Sequence, residues 1–599
     1  MRDRKLQWHR GRRLAGIVAA VLLAAAIHLG AQPAAPAEWA GRSTVVARIY
    51  YDRPGDIARL TDYDLWEYHN VAEGYVLAAV DGPAYEALRA AGWRVAVDED
   101  ATARLGAAGA ATAFFDDYRT VDELYADLDA AAAAYPQLTE LLDYGQSYCL
   151  AGGGCVTPGG DTLDGYPLRA IRVTNEAVAG SSTIAGGTVV RGDKPVFFLM
   201  ANIHAREITT PEIAMRFLDA LLDGYGRDAN VTWLVDWHEI WIVPTANPDG
   251  HWLVELGEEP PYSGAPFMQR KNARLHNLVD GVDDCAIWPP PADGGDHYGI
   301  DLNRNHSFGW GGSGSSDDPC SPVFRGPAPA SENEVAQLQA LLLALFADRR
   351  GPGLDDPAPA DTSGMLITLH SFSNLVLWPW GHLTSNAPNK TDLRAIGDKL
   401  ATFNGYRSCQ SAAYDCLYAA AGASDDWAYG ELGVPAFTIE MGDEFMPPYE
   451  AIDAEQWPAN GPALLYAATI ARTPYQTVHG PDATGPVVSG PGPLRAVTAT
   501  LDAGSTSGED IAAAVYTLDV PPWREEAQPV PLAAADDAFD SPRETVVGQL
   551  DTSALAPGQH ILYVRGQDNS GHWGPPSAVF ITVLPAFTHA LYMPSVISK

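Results

Sequence analysis

Three apolar runs, each ending in an ionisable side chain, constrain this chain more than any other feature. Val196 to Ala201 (VFFLMA) closes on Asn202-Ile203-His204-Ala205-Arg206-Glu207. Met365 to His370 ends in a histidine and Ala436 to Glu440 in a glutamate. Short apolar runs closed by polar residues read as buried strands, the first over 195–204. Helical stretches separate them: Val121 to Tyr135, with Pro136 beyond, and a run through Met215, Phe217, Leu218, Leu221 and Leu222, with Thr210 as its N-cap and Pro211 in its first position. Ile240 to Val243 reads as a further strand leading into Pro244 to Gly250, a turn by composition. Strands alternating with helices predict an α/β region from about residue 114. In such sheets ligands gather outside the carboxyl ends of the strands, where His204, Glu207, His370 and Glu440 fall.

Two histidines and one carboxylate can hold a zinc ion and leave it one position open for water, whose pKa then falls to roughly 7. His204 with Glu207 and the distant His370 are the candidate ligands. A further carboxylate, off the metal, has to carry the proton from water to the leaving group, and Glu440 suits that task. Hydrolysis of an amide also needs a donor for the developing oxyanion. A free-acid substrate needs a fork for its carboxylate. Arg270 in MQRKNAR and Arg304 in Gly299-Ile-Asp-Leu-Asn-Arg-Asn305 are the arginines available, within a long looped insertion over 256–330 rich in Gly, Pro and Asp. His238-Glu239 lacks the second histidine of a His-Glu-x-x-His motif and reads as the start of a strand. Gly309 to Gly314 has no strand before it or helix after it and reads as a loop.

The 599 residues exceed one core, and two to four domains are expected. With 38 basic against 75 acidic residues the formal charge is −37. That excludes a nucleic-acid partner, since phosphates need a basic surface. A basic start over 2–13, with Arg12-Arg13, precedes an apolar run from Leu14 to Ala31. The pattern reads as a signal peptide over 1–31 and an exported protein; a membrane anchor left uncleaved is the alternative. Six cysteines suit an oxidising compartment, and sequential pairing closes the shortest loops: Cys149 with Cys155, Cys285 with Cys320, Cys409 with Cys416. Asp317 and Asp318 are candidates for structural calcium, although no EF-hand spacing surrounds them. Residues 43–100 read as a separate α+β unit, with strands over 45–51, 75–80 and 93–97 and helices over 56–60 and 83–91. A linker over 102–112 follows, then a body over 114–475. Past the Gly/Pro-rich stretch from Gly480 to Leu494, five short strands suggest a β-sandwich of immunoglobulin or fibronectin type over 490–585, a candidate for binding a surface or glycan. The tail over 586–599 carries no assignment, and nothing in the sequence sets the oligomeric state.

With these residues in hand, the chain over roughly 114–475 resembles zinc metallocarboxypeptidases of the carboxypeptidase A/B kind, in the style of secreted bacterial members. His204-Ala-Arg-Glu207 matches the family's His-x-x-Glu, His370 in LITLHSFSN its third ligand, and Glu440 in FTIEMGD its catalytic glutamate. Asn247-Pro-Asp-Gly250 matches a structural turn motif and Asp301-Leu-Asn-Arg304 an Asp-x-Asn-Arg motif. The resemblance implies a mixed eight-stranded sheet with flanking helices, one zinc ion, and peptide or protein C-termini as substrates. It implies that Asp301 supports the first zinc histidine, that Arg270 polarises the scissile carbonyl, and that Asn303, Arg304 and the mobile Tyr418 hold the terminal carboxylate. Asp425, seven residues after Tyr418, would face the bottom of the pocket for the last side chain and favour Lys or Arg, or form part of a broad pocket. The 43–100 unit resembles the prosegment that covers the cleft until proteolysis removes it, and the bracket of Cys285 and Cys320 resembles a family disulfide. An amidohydrolase acting on N-acyl amino acids or cell-wall peptides, and a non-enzymatic zinc-binding or adhesive protein, are the rival readings.

Overall fold

In the computed structural model, residues 44–60, 63–108, 115, 117–262, 265–274, 288–290 and 298–585 are described; the segment 1–31, Cys285 and the tail from 586 lie outside them. A mixed eight-stranded sheet runs in the order Arg407–Gln410, Leu375–Trp378, Ala436–Glu440, Met365–His370, Val196–Met200, Glu239–Val243, Pro167–Val173, Thr139–Gln146. The four strands from Ala436–Glu440 to Glu239–Val243 are mutually parallel. Every residue in them is buried, as expected for parallel strands covered on both faces. Alternate residues serve opposite layers. Phe197, Leu199, Ile240, Ile242, Ile367 and Leu369 pack with the helices Val121–Ala134, Thr209–Gly224, Lys390–Asn404 and Trp457–Ile470. Phe198, Met200, Trp241, Val243 and Leu366 pack with Asn333–Leu345 and Ser424–Leu432.

Several boundaries differ from the sequence reading. The first strand ends at Met200 rather than at residue 204, so His204 stands on the loop beyond it. The helix after it begins at Thr209, with Ile208 as N-cap, so Thr210 and Pro211 lie inside its first turn. Proline is tolerated there because the first N–H groups of a helix have no partner within it. Pro248 to Gly250 open a helix, Pro248–Leu256, rather than a turn. Asn247 caps it by accepting the Gly250 N–H at 3.1 Å, and Pro248 takes the first position.

The N-terminal unit is a four-stranded antiparallel sheet in the order Asp64–Asn70, Tyr75–Asp81, Thr44–Tyr50, Arg94–Val97. Its edge strand Asp64–Asn70 was not identified from sequence. The Ala-rich stretch expected as a linker continues a helix, Glu99–Ala108, since alanine is the strongest helix former. The C-terminal unit is a curled seven-stranded sheet in the order Asp482–Ser489, Leu494–Asp502, Arg543–Asp551, Val530–Ala534, Ile511–Leu518, Gly558–Asp568, Ser577–Val583. It adds two strands to the five expected. One of them, Asp482–Ser489, occupies the stretch read as Gly/Pro-rich punctuation. Val497, Leu501, Ile511, Val546, Leu562 and Ile581 fill its core. The disulfides Cys149–Cys155 and Cys409–Cys416 are formed.

Candidate active site

The loop 201–207 has to leave the sheet sharply to bring two ionisable residues back over the strand ends. Asn202 makes the bend, with φ 55°, a left-handed conformation that asparagine tolerates better than most residues. Its amide donates to the carbonyls of His204 at 3.1 Å and Ala205 at 3.0 Å, and its oxygen accepts from Thr245 Oγ1 at 2.9 Å. Asn247 donates to Ile203 O at 3.1 Å and Lys271 O at 3.3 Å. The Ala205 N–H donates to Arg270 O at 3.0 Å. Two asparagines thus lock the loop against the strand end at 245–247 and against the insertion at 270–271.

Glu207 and the histidines meet at the carboxyl edge of the sheet. Glu207 Oε1 lies 2.7 Å from His204 Nδ1 and Oε2 lies 3.1 Å from His370 Nδ1, and the Ser371 N–H donates to Oε2 at 3.3 Å. His204, Glu207 and His370 are all buried, and one ligand atom from each lies within 4.8 Å of the others. Among the described residues this is the group that could hold a metal ion. Two imidazoles and one carboxylate form the donor set of catalytic zinc sites, so the residues fit the ion. Burial raises the Glu207 carboxyl, but the two histidines outweigh it and hold the group well below its usual range. No such group includes Asp317 or Asp318. Asp317 faces Arg325 at 3.5 Å and Asp318 accepts the Cys320 N–H at 3.0 Å, so the calcium expectation finds no ligand set.

Around this group the remaining candidates converge. Asp301 Oδ1 is 3.3 Å from His204 Nε2, and Oδ2 is 3.2 Å from both Nε and Nη2 of Arg270. Burial alone would protonate Asp301; Arg270, Arg304 and His204 together hold it ionised, well below the usual range. Glu440 and His370 are direct neighbours across the parallel ladder. The Asn303 side chain accepts the Ser424 N–H at 2.9 Å. Arg304 donates through Nε to Gly314 O at 2.7 Å and through Nη1 to Asn303 O at 2.9 Å. Two glycines with positive φ permit that packing: a Cβ on Gly422 would come 2.3 Å from Arg304 O, and one on Gly314 would come 1.5 Å from Ala419 O. Asp425 is buried on the helix Ser424–Leu432 and accepts from Thr438 Oγ1 at 3.3 Å. Thr438 and Glu440 lie two apart on one strand, so their side chains share a face.

Tyr418 sits in a buried cluster with Val45, Ile57 and Leu65 of the N-terminal unit and with Leu375 and Leu377. That unit covers the site. Its Asp64 forms a bidentate pair with Arg206, the residue between the two ligands of the loop, at 2.8 and 3.1 Å, and both side chains are buried. Trp66 packs edge-on against Phe372 and Phe445, with ring centroids 5.7 and 5.6 Å apart. His69 Nδ1 lies 3.0 Å from Cys416 O, two residues before Tyr418. Asp64 and Trp66 escaped the sequence reading because their strand did. The alternation of Trp66 and Tyr68 with Glu67 and His69 was the available signal.

Comparison with known proteins agrees with this arrangement. The Peptidase_M14 family model, zinc carboxypeptidase, matches residues 155–457. Carboxypeptidase B of Astacus astacus is 29% identical over 332 residues, 54% of this chain and 86% of that protein. Carboxypeptidase A1 of Bos taurus is 25% identical over 330 residues, 54% of this chain and 62% of that protein. Among solved structures, carboxypeptidase A from Helicoverpa armigera superposes with a TM-score of 0.51 at 19% identity, covering 71% of this chain and 97% of that one. Thrombin activatable fibrinolysis inhibitor superposes with a TM-score of 0.50 at 20% identity, covering 72% and 99%.

Two outcomes follow from the geometry. Glu207→Gln removes the one anionic ligand and is expected to bind zinc at least about tenfold more weakly than the parent chain, read by competition with a fluorescent chelator; parent-like affinity would remove Glu207 from the ligand set. Breaking a buried charge pair from one side costs about 2–5 kcal/mol. Asp64→Ala in the full chain is therefore expected to loosen the N-terminal unit, seen as faster limited proteolysis within 99–117. An unchanged cleavage rate would show that Asp64 does not latch it.

Proposed function

This chain belongs to the zinc carboxypeptidase family and is a zinc-dependent metallopeptidase. From that premise we propose that it is exported as a zymogen and releases C-terminal residues from peptides, favouring Lys and Arg. The observation that carries the specificity is Asp425: a buried carboxyl, bonded to Thr438 on the strand that bears Glu440. A carboxylate enclosed there is costly without a cation, and a basic side chain of the substrate supplies one.

In this reading His204, Glu207 and His370 hold the zinc ion. Bound there, zinc acts as a Lewis acid and supplies an acidified water. Glu440 takes a proton from the attacking water and returns it to the departing amine. Arg270, fixed by its two contacts with Asp301, offers charge to the developing oxyanion without reorganising. Asp301 also fixes the ring of His204 from the side away from Glu207. Arg304 and Asn303 bind the substrate's terminal carboxylate. Two of the donors on Arg304 are already committed to backbone carbonyls, which sets the orientation of its fork. Tyr418 closes over the substrate once the N-terminal unit no longer packs against it. Burial of Arg206 under Asp64 and the packing of Trp66 against Phe372 and Phe445 support the zymogen reading, and the basic and apolar segment at the N-terminus supports export.

Glu440→Gln should keep stoichiometric zinc and lose at least about a thousandfold in kcat, within the range that general acid–base groups contribute; substantial turnover in that variant would overturn the mechanism. Burial first, and the neighbouring Asp426 second, raise Asp425 to about 7. Below that pH the group is neutral, and above it is charged. The ratio of kcat/KM for a C-terminal Arg substrate over its Leu counterpart should therefore climb as pH rises through 7. Asp425→Leu should flatten the profile and reverse the preference. A ratio independent of pH and of residue 425 would remove the claim.

A further inference from the structure

A cavity of about 600 Å³ lies where the C-terminal sheet meets the catalytic body, lined among others by Arg472, Arg565, His238, His479, Trp523 and Trp573. His238 stands at the amino end of the strand Glu239–Val243. That strand runs parallel to Val196–Met200, whose opposite end leads into the metal-ligand loop. The cavity thus lies at the far edge of the sheet from the catalytic chemistry.

Its charges are out of keeping with the rest of the molecule. In a chain carrying −37, sheltered arginines generally meet an acid: Arg119 with Glu212, Arg172 with Glu140, Arg206 with Asp64, Arg270 with Asp301. Arg304 and Arg350 instead meet backbone carbonyls, those of Asn303 and Gly314 for the first and of Gly353, Leu354 and Gly430 for the second. Neither Arg472 nor Arg565 pairs with a carboxylate among the described residues. Each is packed on an indole: Arg472 over Trp523 at 4.8 Å and Arg565 over Trp573 at 4.3 Å. Arg472 donates one long bond, 3.4 Å, to Trp237 O. Stacking of this kind fixes a planar guanidinium and leaves its edge to donate. Burial lowers both guanidinium pKa values to about 10, still charged at neutral pH. The acid on the cavity wall, Asp392, is taken up by His479 at 2.9 Å, and His572 lies 3.3 Å from Asp568.

The same wall holds buried polar atoms with nothing to bond. Arg472 Nε, Trp523 Nε1 and both ring nitrogens of His238 have no hydrogen-bond partner among the described residues, and His238 is 1% exposed. An unmet buried polar group costs about 1–3 kcal/mol. All three side chains are donors or can be, and Arg472 and the neighbouring Arg565 are cations. What satisfies them together is a ligand rich in acceptors and negatively charged.

We propose that this cavity binds a small oxyanion, of the sulfate, phosphate or carboxylate type, through Arg472 and Arg565. A guanidinium edge matches such groups bidentately, and the volume, within the range of small-ligand sites, leaves room for an organic group carrying the anion. Arg472 and His238 come from the catalytic body, His479 from the segment that joins it to the C-terminal unit, and Arg565, Trp523 and Trp573 from that unit. The ligand therefore ties the two together, and its occupancy stabilises the junction without touching the metal site.

The test is titration calorimetry of the full chain, at constant ionic strength set with chloride. The probes are inorganic sulfate, inorganic phosphate and glucuronate, with uncharged glucose as the control. Saturable binding of at least one anion, with no heat from glucose, is expected. Arg565→Gln and Arg472→Gln should each weaken it by about tenfold or more, while Arg565→Gln keeps parental peptidase turnover. Tighter binding of glucuronate than of sulfate and phosphate identifies a sugar acid as the source, and the reverse a free inorganic anion; both support the site. If a variant folds poorly, the parent chain still decides, because a specific anion must raise its Tm above that in chloride of equal ionic strength. No saturable binding and no such rise, or affinities unmoved by both substitutions, would overturn the proposal.

Discussion

The rest of the active site depends on a chain of opposite charges taken out of water together. From His370 it runs through Glu207 to His204, through Asp301 to Arg270, with every contact between 2.7 and 3.3 Å and every member buried. Burial alone would drive the carboxyls of Glu207 and Asp301 to their neutral forms. Placed between the histidines and Arg270, both are held well below their usual range, and two carboxylates survive at the bottom of a closed site. Such a chain tolerates little displacement, because the interaction of buried charges changes steeply with distance. That accounts for the density of backbone anchors around it: Asn202 and Asn247 on the loop, Thr210 at the start of the following helix, and the Ala205 N–H on the carbonyl of Arg270 itself.

The amount legible in the sequence follows the range of each interaction. His204, Glu207, His370 and Glu440 could be read because apolar runs mark parallel strands and the carboxyl end of a strand is a definite place. Their order across the sheet could not, since the pairing of Met365–His370 with both Val196–Met200 and Ala436–Glu440 is decided by packing between distant segments. The turn at 247–250 was misread for a local reason. Asn-Pro-Asp-Gly has the composition of a turn, yet asparagine at the N-cap and proline at the first position are also the start of a helix, and only the apolar residues that follow in Pro248–Leu256 favour the second. The Ala-rich segment 102–112 was misread in the same direction: low complexity suggested a linker, whereas its first residues belong to the helix Glu99–Ala108, where Ala101 is buried against the first strand and Thr102 receives the Val46 N–H at 2.9 Å.

Missing the strand Asp64–Asn70 had the largest consequence, because that strand carries the contact between the N-terminal unit and the loop of the ligands. Arg206 is encoded within the ligand motif, but its partner lies 142 residues earlier, and no local pattern announces it. Arg206 is held on two sides, by the carboxylate of Asp64 and by the ring of Phe445, 4.2 Å from its guanidinium carbon. In the zymogen proposed above, inhibition and ligand support would share one element: the loop that carries two metal ligands also carries the arginine that pairs with Asp64.

The two ends of the central sheet use arginine in opposite ways. At the carboxyl end Arg270 is paired with Asp301, and in the mechanism proposed above its charge answers to a full negative charge that develops nearby. At the amino end Arg472 and Arg565 rest on indoles, which stabilise a cation without neutralising it. A guanidinium of the first kind acts on a transition state, where a strong new charge competes with the old partner. One of the second kind acts on a ground state, where a stable anion meets no competitor. The acid-rich composition makes the distinction sharper: in a chain with 75 acidic residues, neither arginine of this cavity pairs with a carboxylate among the described residues, so the charge of both stays available to an anion that enters it.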